Sequence, residues 1–319
     1  MKPIYDAWLI QIDITNVCSN KCSHCTRAVP HFKNPYFAEM TFLEQALQSL
    51  RGWKRGVGCI GGEPTLHPEF ETICLLYRKY FPKKQCGIFT SGGPLYEKHK
   101  DLINKTFGMI HYHNHKTPSY HQPIMIAAED IISDETLRSE LIRDCWLQRK
   151  WCPSITIKGC FFCEVAATFD LLFNGPGGYS LEPGWWKKNE ADFSDQVKRY
   201  CRFCSVPIPI GSFPDTNPFD YVSQGNAERL IKAQSPLAAR NGVRIFNKVM
   251  TREKIKELLK NPAHRDPSHC GQRDQINYFR KSPLILKINA NNVKHEILHC
   301  LKTGDLRGFL HTLKSWSLH

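Results

Sequence analysis

The chain has 319 residues, of which 41% are hydrophobic and 23% charged, enough for one large or two modest domains with a sizeable core. No early segment has the basic start, apolar centre and small-residue cleavage site of a signal peptide. The apolar run 8–14 is also too short to span a bilayer, so we expect a cytoplasmic protein without a membrane partner. Fourteen cysteines in a reducing compartment favour metal binding or catalysis over disulfides.

The formal net charge of +13 is unevenly distributed, because from Ser205 onward 18 Lys and Arg stand against 9 Asp and Glu. A basic surplus favours anionic partners such as phosphates, nucleotides or RNA, and it is equally compatible with a solvated surface. No recognisable RNA-binding module accompanies the charge. Nucleic acid is therefore compatible with the composition but not favoured as a partner.

Strand-like and helix-like stretches alternate from residue 5 to about residue 130. Alternating βα units with right-handed crossovers predict a parallel sheet covered by helices. The predicted strands are 8–14, 57–60, 86–90 and 109–113, and the predicted helices are 40–50, 67–80, 96–106 and 134–149.

Three cysteines, Cys18, Cys22 and Cys25, lie within eight residues directly after the first predicted strand. Thiolates are the usual ligands of 4Fe–4S clusters, which normally take four of them. A loop that supplies three leaves one iron for a ligand that is not cysteine. The alternatives are a structural zinc site or three unrelated buried thiols.

The spacing CxxxCxxC, with His24 before the last cysteine, resembles the signature of the radical S-adenosylmethionine (radical SAM) superfamily. In that family the open iron chelates the amino and carboxylate groups of S-adenosylmethionine, and the resemblance implies that His24 also contacts this cofactor. The resemblance implies an α/β fold with a partial (β/α)6 barrel, whose active site faces the carboxyl ends of the strands.

Two further stretches resemble elements of the same family. The first matches its GGEP element at the end of the second strand and comprises Gly61, Gly62, Glu63 and Pro64. Glycine lets the backbone approach a zwitterionic ligand, and a carboxylate can pair with its ammonium group. The second is Thr90 with Ser91, where relatives carry a Thr-Asn-Gly-like strand end that contacts the ribose of the cofactor. Ser91 replaces the more usual Asn.

Four histidines, His111, His113, His115 and His121, lie within eleven residues. Strand alternation places the first three on one face, and we expect His113 and His115 to act on the substrate or in proton transfer. The alternative is that they only hydrogen-bond to neighbouring backbone.

A second group of cysteines follows residue 140, around a predicted β-hairpin at 154–163 that turns at Lys158-Gly159. This region resembles the twitch domain, a shortened SPASM domain that holds an auxiliary 4Fe–4S cluster. The resemblance implies the ligands Cys145, Cys163, Cys201 and Cys204, with Cys152 or Cys160 as alternates. A structural zinc held by the same thiols is the competing hypothesis.

We therefore expect a radical SAM core over residues 1–140, a cysteine-rich hairpin and helix module over 141–206, and a basic, mainly helical extension over 207–319. Basic or apolar helical patterns at 251–260, 293–302 and 305–315 support the extension.

The resemblance implies an enzyme that reductively cleaves S-adenosylmethionine to a 5′-deoxyadenosyl radical, which abstracts hydrogen from the substrate. We expect an oxidation of a small polar molecule, such as a sugar, an aminocyclitol or a nucleotide-sugar, with flavodoxin or ferredoxin as the electron donor. A peptide-modifying enzyme is less favoured, because the cysteine triplet begins 17 residues from the start and leaves no room for a leader-binding domain. An RNA-modifying enzyme and a zinc-stabilised binding protein are two further hypotheses.

Overall fold

The computed structural model describes residues 1–113, 115, 119–150 and 153–260, with only the backbone for 149 and 150. All of them lie in one compact unit, Met1–Arg273. Cys152 and the helices predicted at 293–302 and 305–315 lie outside the described residues.

The described residues form ten short strands and eleven α-helices. The strands are β1 Leu9–Asp13, β2 Gly56–Ile60, β3 Cys86–Thr90, β4 Met109–Tyr112, β5 Tyr120–His121, β6 Ser154–Thr156, β7 Gly159–Phe161, β8 Phe213–Pro214, β9 Asp220–Val222 and β10 Val243–Ile245. The helices are α1 Met40–Ser49, α2 Phe70–Tyr80, α3 Tyr96–Thr106, α4 Ala128–Ile131, α5 Glu135–Arg143, α6 Trp146–Lys150, α7 Glu164–Leu172, α8 Ser194–Tyr200, α9 Gln224–Lys232, α10 Pro236–Ala239 and α11 Arg252–Leu258.

Six strands form the central sheet, in the order β4-β3-β2-β1-β6-β7. The first five run parallel, and β7 returns antiparallel to β6. All five residues of β1 are buried, as expected for a parallel strand that is covered on both faces. The predicted α/β class with a mostly parallel sheet is confirmed.

Two of the six strands come from the hairpin rather than from further βα units. Strand β6 pairs with β1 in parallel, with Gln11 opposite Ser154 and Ile12 opposite Ile155. The hairpin therefore extends the sheet beside the strand that leads into the first cysteine group. The first cysteine group, after β1, and Cys163, after β7, consequently follow strands of the same sheet.

The helix predicted over 134–149 is interrupted. Helix α5 begins after Asp134, whose side chain accepts a hydrogen bond from the Leu137 amide at 3.0 Å, and Cys145 lies between α5 and α6. Just beyond the break, the Trp146 indole donates to Gln122 at 3.1 Å. This hydrogen bond connects the start of α6 to the loop after β5.

The described part of the C-terminal region contains strands as well as helices. Strand β8 pairs antiparallel with β5, and β10 pairs parallel with β9. Within the described residues, none of the helices has the length and apolar character needed to cross a bilayer.

Candidate active site and cysteine groups

The three cysteines of the first group share the loop that follows β1. Burial raises the pKa of the Cys18 thiol to about 11 and that of the Cys22 thiol to about 12. The charge of Cys25 raises both pKa values further, and that of Cys18 also acts on Cys22, so the three thiols lie together. Metal binding at such protonated thiols must release protons.

Residues 215–220 brace this loop from the C-terminal region. The Ser23 amide donates to the carbonyl oxygen of Asp215, and its hydroxyl donates to that of Phe219, both at 2.8 Å. The His24 amide donates to Asp220 Oδ1 at 2.8 Å. These bracing residues carry no motif, and only the tertiary structure brings them to the loop.

His24, predicted to contact the cofactor, is buried with a left-handed backbone (φ 55°). Its ring stacks on Tyr221, with 5.9 Å between the ring centroids. Burial lowers the pKa of His24 to about 4, so the ring is neutral near pH 7. The ring lies against the C-terminal region.

The two glycines at the end of β2 allow close contact with the segment that leads into the cysteine loop. The Gly62 amide donates to the Thr15 carbonyl, and the Glu63 amide donates to the Val17 carbonyl, both at 2.7 Å. A Cβ on Gly61 would lie 2.2 Å from the Thr15 oxygen, and one on Gly62 would lie 2.2 Å from the Val17 oxygen. No side chain fits at either position.

The Glu63 carboxylate is fully buried and accepts five hydrogen bonds. Oε1 accepts from the Thr65 amide at 3.3 Å, the Thr65 hydroxyl at 2.8 Å and the Thr90 hydroxyl at 2.7 Å. Oε2 accepts from the Ser91 amide at 2.8 Å and the Ser91 hydroxyl at 2.7 Å. Pro64 begins the 3-10 turn that brings Thr65 to the carboxylate. Thr90 and Ser91, predicted to contact the ribose, thus also tie the end of β3 to Glu63.

A cleft of about 260 Å³ opens between the cysteine loop and the carboxyl ends of β3 and β4. Its lining is rich in hydroxyl, amide and imidazole groups and comprises Ser19, Asn20, Ser91, Gly92, Gly93, Pro94, Tyr112 and His115. The cleft therefore adjoins both the cysteine loop and the end of β3, where Ser91 donates to Glu63.

The histidines divide into two sets because β4 ends at Tyr112. His111 is buried and stacks on Phe89, with ring centroids 4.0 Å apart, and burial lowers its pKa to about 3. Beyond the strand, the ring centroid of His113 lies 4.4 Å from that of His115 and 5.8 Å from that of His121. The described residues have no strand between Tyr112 and His115, so the alternation predicted for the three histidines does not extend to His115.

His115 lies against the first cysteine group. Its Nδ1 is 3.6 Å from the Cys22 sulfur and 2.6 Å from Asp215 Oδ2. Ligand atoms of these three residues all lie within 4.8 Å of one another. His113 is partly buried, and burial together with its histidine neighbours lowers its pKa to about 4.

The structure also brings Cys145, Cys163, Cys201 and Cys204 together. Burial raises the pKa of Cys201 well above its usual value, and the charges of the other three thiols raise it further. The same holds for Cys204, whose pKa responds to Cys145 and Cys163. These four thiols form a second group.

The alternate Cys160 lies apart from this group. It is buried in β7, its sulfur is 3.7 Å from the carbonyl oxygen of Ser180, and burial alone raises its pKa. The other alternate, Cys152, lies outside the described residues.

A buried ion network connects the two cysteine groups. Arg27, two residues after Cys25, lies 3.2 Å from Asp13 Oδ2 and donates to Glu164 Oε2 at 2.9 Å. Glu164 directly follows Cys163. All three charged side chains are less than 8% exposed, and burial raises the pKa of both carboxyls. Sequence reasoning missed this network because its members share no local pattern.

The residues of the first group fit the cluster and cofactor that the signature implies. The charge of Cys25 acts on the pKa of both Cys18 and Cys22 within one loop, and a polar cleft opens at Ser19 and Asn20 of that loop. This donor set supplies three ligands and leaves room beside them for a chelating amino acid.

Comparison with known proteins points the same way. Residues 12–123 match the family model of the radical SAM superfamily. No curated protein matches the chain by sequence.

Two solved structures resemble the chain, each with 13% identity over 62% of its residues. One is BtrN in complex with AdoMet and 2-DOIA, with a TM-score of 0.41 over 88% of that chain. The other is selenomethionine BtrN in an open conformation, with a TM-score of 0.38 over 86% of that chain. The likeness to the radical SAM superfamily therefore rests on the family match over residues 12–123.

Proposed function

We propose that this radical SAM protein oxidises a small polar substrate with the help of a second 4Fe–4S cluster. When bound, the cluster of the first cysteine group and S-adenosylmethionine supply hydrogen abstraction from an unactivated C–H bond. The observation that carries the proposal is the convergence of Cys145, Cys163, Cys201 and Cys204, because four thiols complete the ligand set of one more cluster.

In this proposal Cys18, Cys22 and Cys25 hold the first cluster, and Glu63 receives the ammonium group of the cofactor. Three of the five hydrogen bonds to Glu63 come from hydroxyl groups, which can rotate away, while the backbone amides keep the carboxylate in place. The buried position of Glu63 strengthens such an ion pair by excluding water.

The polar lining of the cleft is evidence for a polar substrate. Hydroxyl, amide and imidazole groups line it, and these are hydrogen-bonding partners for a sugar-like or aminocyclitol-like molecule. His113 lies near its edge through its contact with His115 and is neutral near pH 7, so its ring can accept the proton that an oxidised substrate releases. The second thiol group would hold the acceptor for the remaining electron.

Metal analysis after anaerobic reconstitution tests the two-cluster proposal. The wild-type chain is expected to bind about eight irons with matching sulfide, and Cys201→Ala is expected to bind about four. Cys160→Ala is the matched control, because this buried thiol lies outside both groups and its loss leaves the iron content unchanged. Zinc without sulfide at the second group would refute the proposed auxiliary cluster.

Incubation with dithionite and S-adenosylmethionine tests the chemistry. The wild-type chain is expected to form 5′-deoxyadenosine, and Cys22→Ala is expected to form none. Deuterium transfer from labelled polyols and aminocyclitols into 5′-deoxyadenosine would identify the substrate class. Failure of all small polar candidates, together with transfer from a peptide or RNA, would contradict the proposed substrate. The flavodoxin or ferredoxin donor and the cytoplasmic location stay predictions.

A further inference from the structure

Asp215 contacts two neighbours of Cys22: the backbone of Ser23 and the ring of His115. Its carbonyl oxygen accepts from the amide of Ser23, the next residue in the loop, at 2.8 Å. Its carboxylate accepts from His115 Nδ1 at 2.6 Å. One residue thus holds the backbone of the cysteine loop and the ring that lies against the Cys22 sulfur.

The carboxylate of Asp215 is itself fixed. The Ser119 hydroxyl donates to Oδ2 at 2.7 Å and the Ser119 amide donates to Oδ1 at 3.3 Å, while the Asp215 amide donates back to the Ser119 carbonyl at 2.8 Å. The side chain of Asp215 is 4% exposed and that of His115 is 19% exposed. A buried and doubly held carboxylate orients the imidazole.

Both ring nitrogens of His115 lie near the Cys22 sulfur. Nδ1 is 3.6 Å and Nε2 is 3.9 Å from Cys22 Sγ, both within the range of hydrogen bonds to sulfur. A metal ligand is commonly oriented by such outer partners, and hydrogen bonds to cluster sulfurs help to set the reduction potential.

We propose that Asp215 and His115 are a positioning pair for the Cys22 sulfur: Asp215 orients the ring, and the Nδ1–H group of His115 is shared between Asp215 and the sulfur when Cys22 ligates the cluster. This inference rests on the proposed function only for the presence of a cluster at the first group. It gives His115 a role different from the proton transfer expected from the sequence, and it gives Asp215 a role that no motif indicates.

The proposed pair predicts how the reduction potential of the first cluster depends on His115. A donor near a ligand sulfur offsets the extra negative charge of the reduced cluster, so losing the donor should shift the midpoint potential to more negative values. His115→Phe removes both ring nitrogens and keeps a planar ring. His115→Gln keeps an N–H group that can reach the sulfur. Asp215→Asn keeps the shape of the carboxylate and weakens its hold on His115.

The test is an EPR-monitored redox titration of the reconstituted chain, following the signal that changes when S-adenosylmethionine is added. We expect a more negative potential and an altered spectrum in His115→Phe, a smaller shift in Asp215→Asn and near wild-type behaviour in His115→Gln. His113→Gln is the control, because that ring neighbours His115 and has no hydrogen bond to Cys22 among the described contacts; its potential should be unchanged.

Iron and sulfide analysis accompanies the titration. Loss of the first cluster in His115→Phe with retention in His115→Gln would also support positioning. Wild-type potential and spectrum in a fully loaded His115→Phe would overturn the inference, and so would equal loss of the cluster in both His115 variants. Absence of the cluster from the wild-type chain would instead refute the proposed function, so the two failures are distinguishable.

Discussion

Glu63 accepts five hydrogen bonds and thereby joins the end of β2 to the end of β3. In Glu63→Gln, one oxygen becomes an amide group that faces N–H and O–H donors. Leaving buried donors unsatisfied costs about 1–3 kcal/mol, so we expect the free energy of unfolding to fall by that amount.

Urea denaturation of the cluster-free chain measures this effect. Glu44→Gln is the matched control, since Glu44 is a partly exposed carboxylate that also accepts from a charged and a hydroxyl partner. Its substitution should change stability little. An unchanged free energy of unfolding in Glu63→Gln would show that the carboxylate network contributes nothing net.

The burial of His111 predicts that the free energy of unfolding falls in acid. Burial lowers its folded pKa to about 3, well below the unfolded value near 6.5. Its contribution to stability is therefore fully present above about pH 6.5 and is lost as the pH falls toward the folded pKa. By linkage, the wild-type chain should lose about 2 kcal/mol at this site between pH 6.5 and pH 4.5.

His111→Phe removes the titrating ring and keeps an aromatic partner for Phe89. We expect the free energy of unfolding of this variant to fall less steeply with acid than that of the wild-type chain. Denaturation curves at several pH values measure the difference. Identical pH slopes in the two proteins would contradict the prediction.

At the scale of elements, glycine allows the backbone at the end of β2 to approach the backbone at the start of the cysteine loop closely. In Gly62→Ala the new methyl group would lie 2.2 Å from the Val17 oxygen, so the backbone must separate and its two hydrogen bonds of 2.7 Å must weaken. We expect Gly62→Ala to lose most of the iron of the first cysteine group on reconstitution, since the loop is then misplaced.

Gly87→Ala is the control for this prediction. Gly87 lies in the neighbouring strand β3, where a Cβ would meet its nearest atoms at 3.4 Å or more. Iron and sulfide content should stay at the wild-type level in Gly87→Ala. Wild-type iron content in Gly62→Ala would show that the close approach is not required.

At the scale of the molecule, the ion network around Arg27 lies between the two cysteine groups. Arg27→Met would leave the carboxylates of Asp13 and Glu164 buried without their cation, and breaking a buried ion pair costs about 3–5 kcal/mol. We expect a fall of this size in the free energy of unfolding and reduced cluster content at both groups.

Arg78→Met is the matched control, because Arg78 donates to a backbone carbonyl, at 2.8 Å, outside that network. Denaturation and metal analysis of the two variants separate the effects. Loss of iron at only one group in Arg27→Met would mean that the network supports that group alone.

The sequence determined the local parts of this protein. Alternating apolar patterns predicted the parallel strands and helix α3, and the short spacings around Cys18 and Gly61 predicted the motifs that the family match supports. Such features depend on residues close in sequence, so periodicity and spacing are sufficient to find them.

Only the tertiary structure decided the rest. It placed the hairpin beside β1, ended β4 at Tyr112 before His113 and His115, and brought Asp215 to Cys22 across 193 positions. It also brought Cys145 to Cys201 and Cys204, leaving Cys160 apart. These contacts arise from packing between distant segments, and packing leaves no periodic or short-range signal in one sequence.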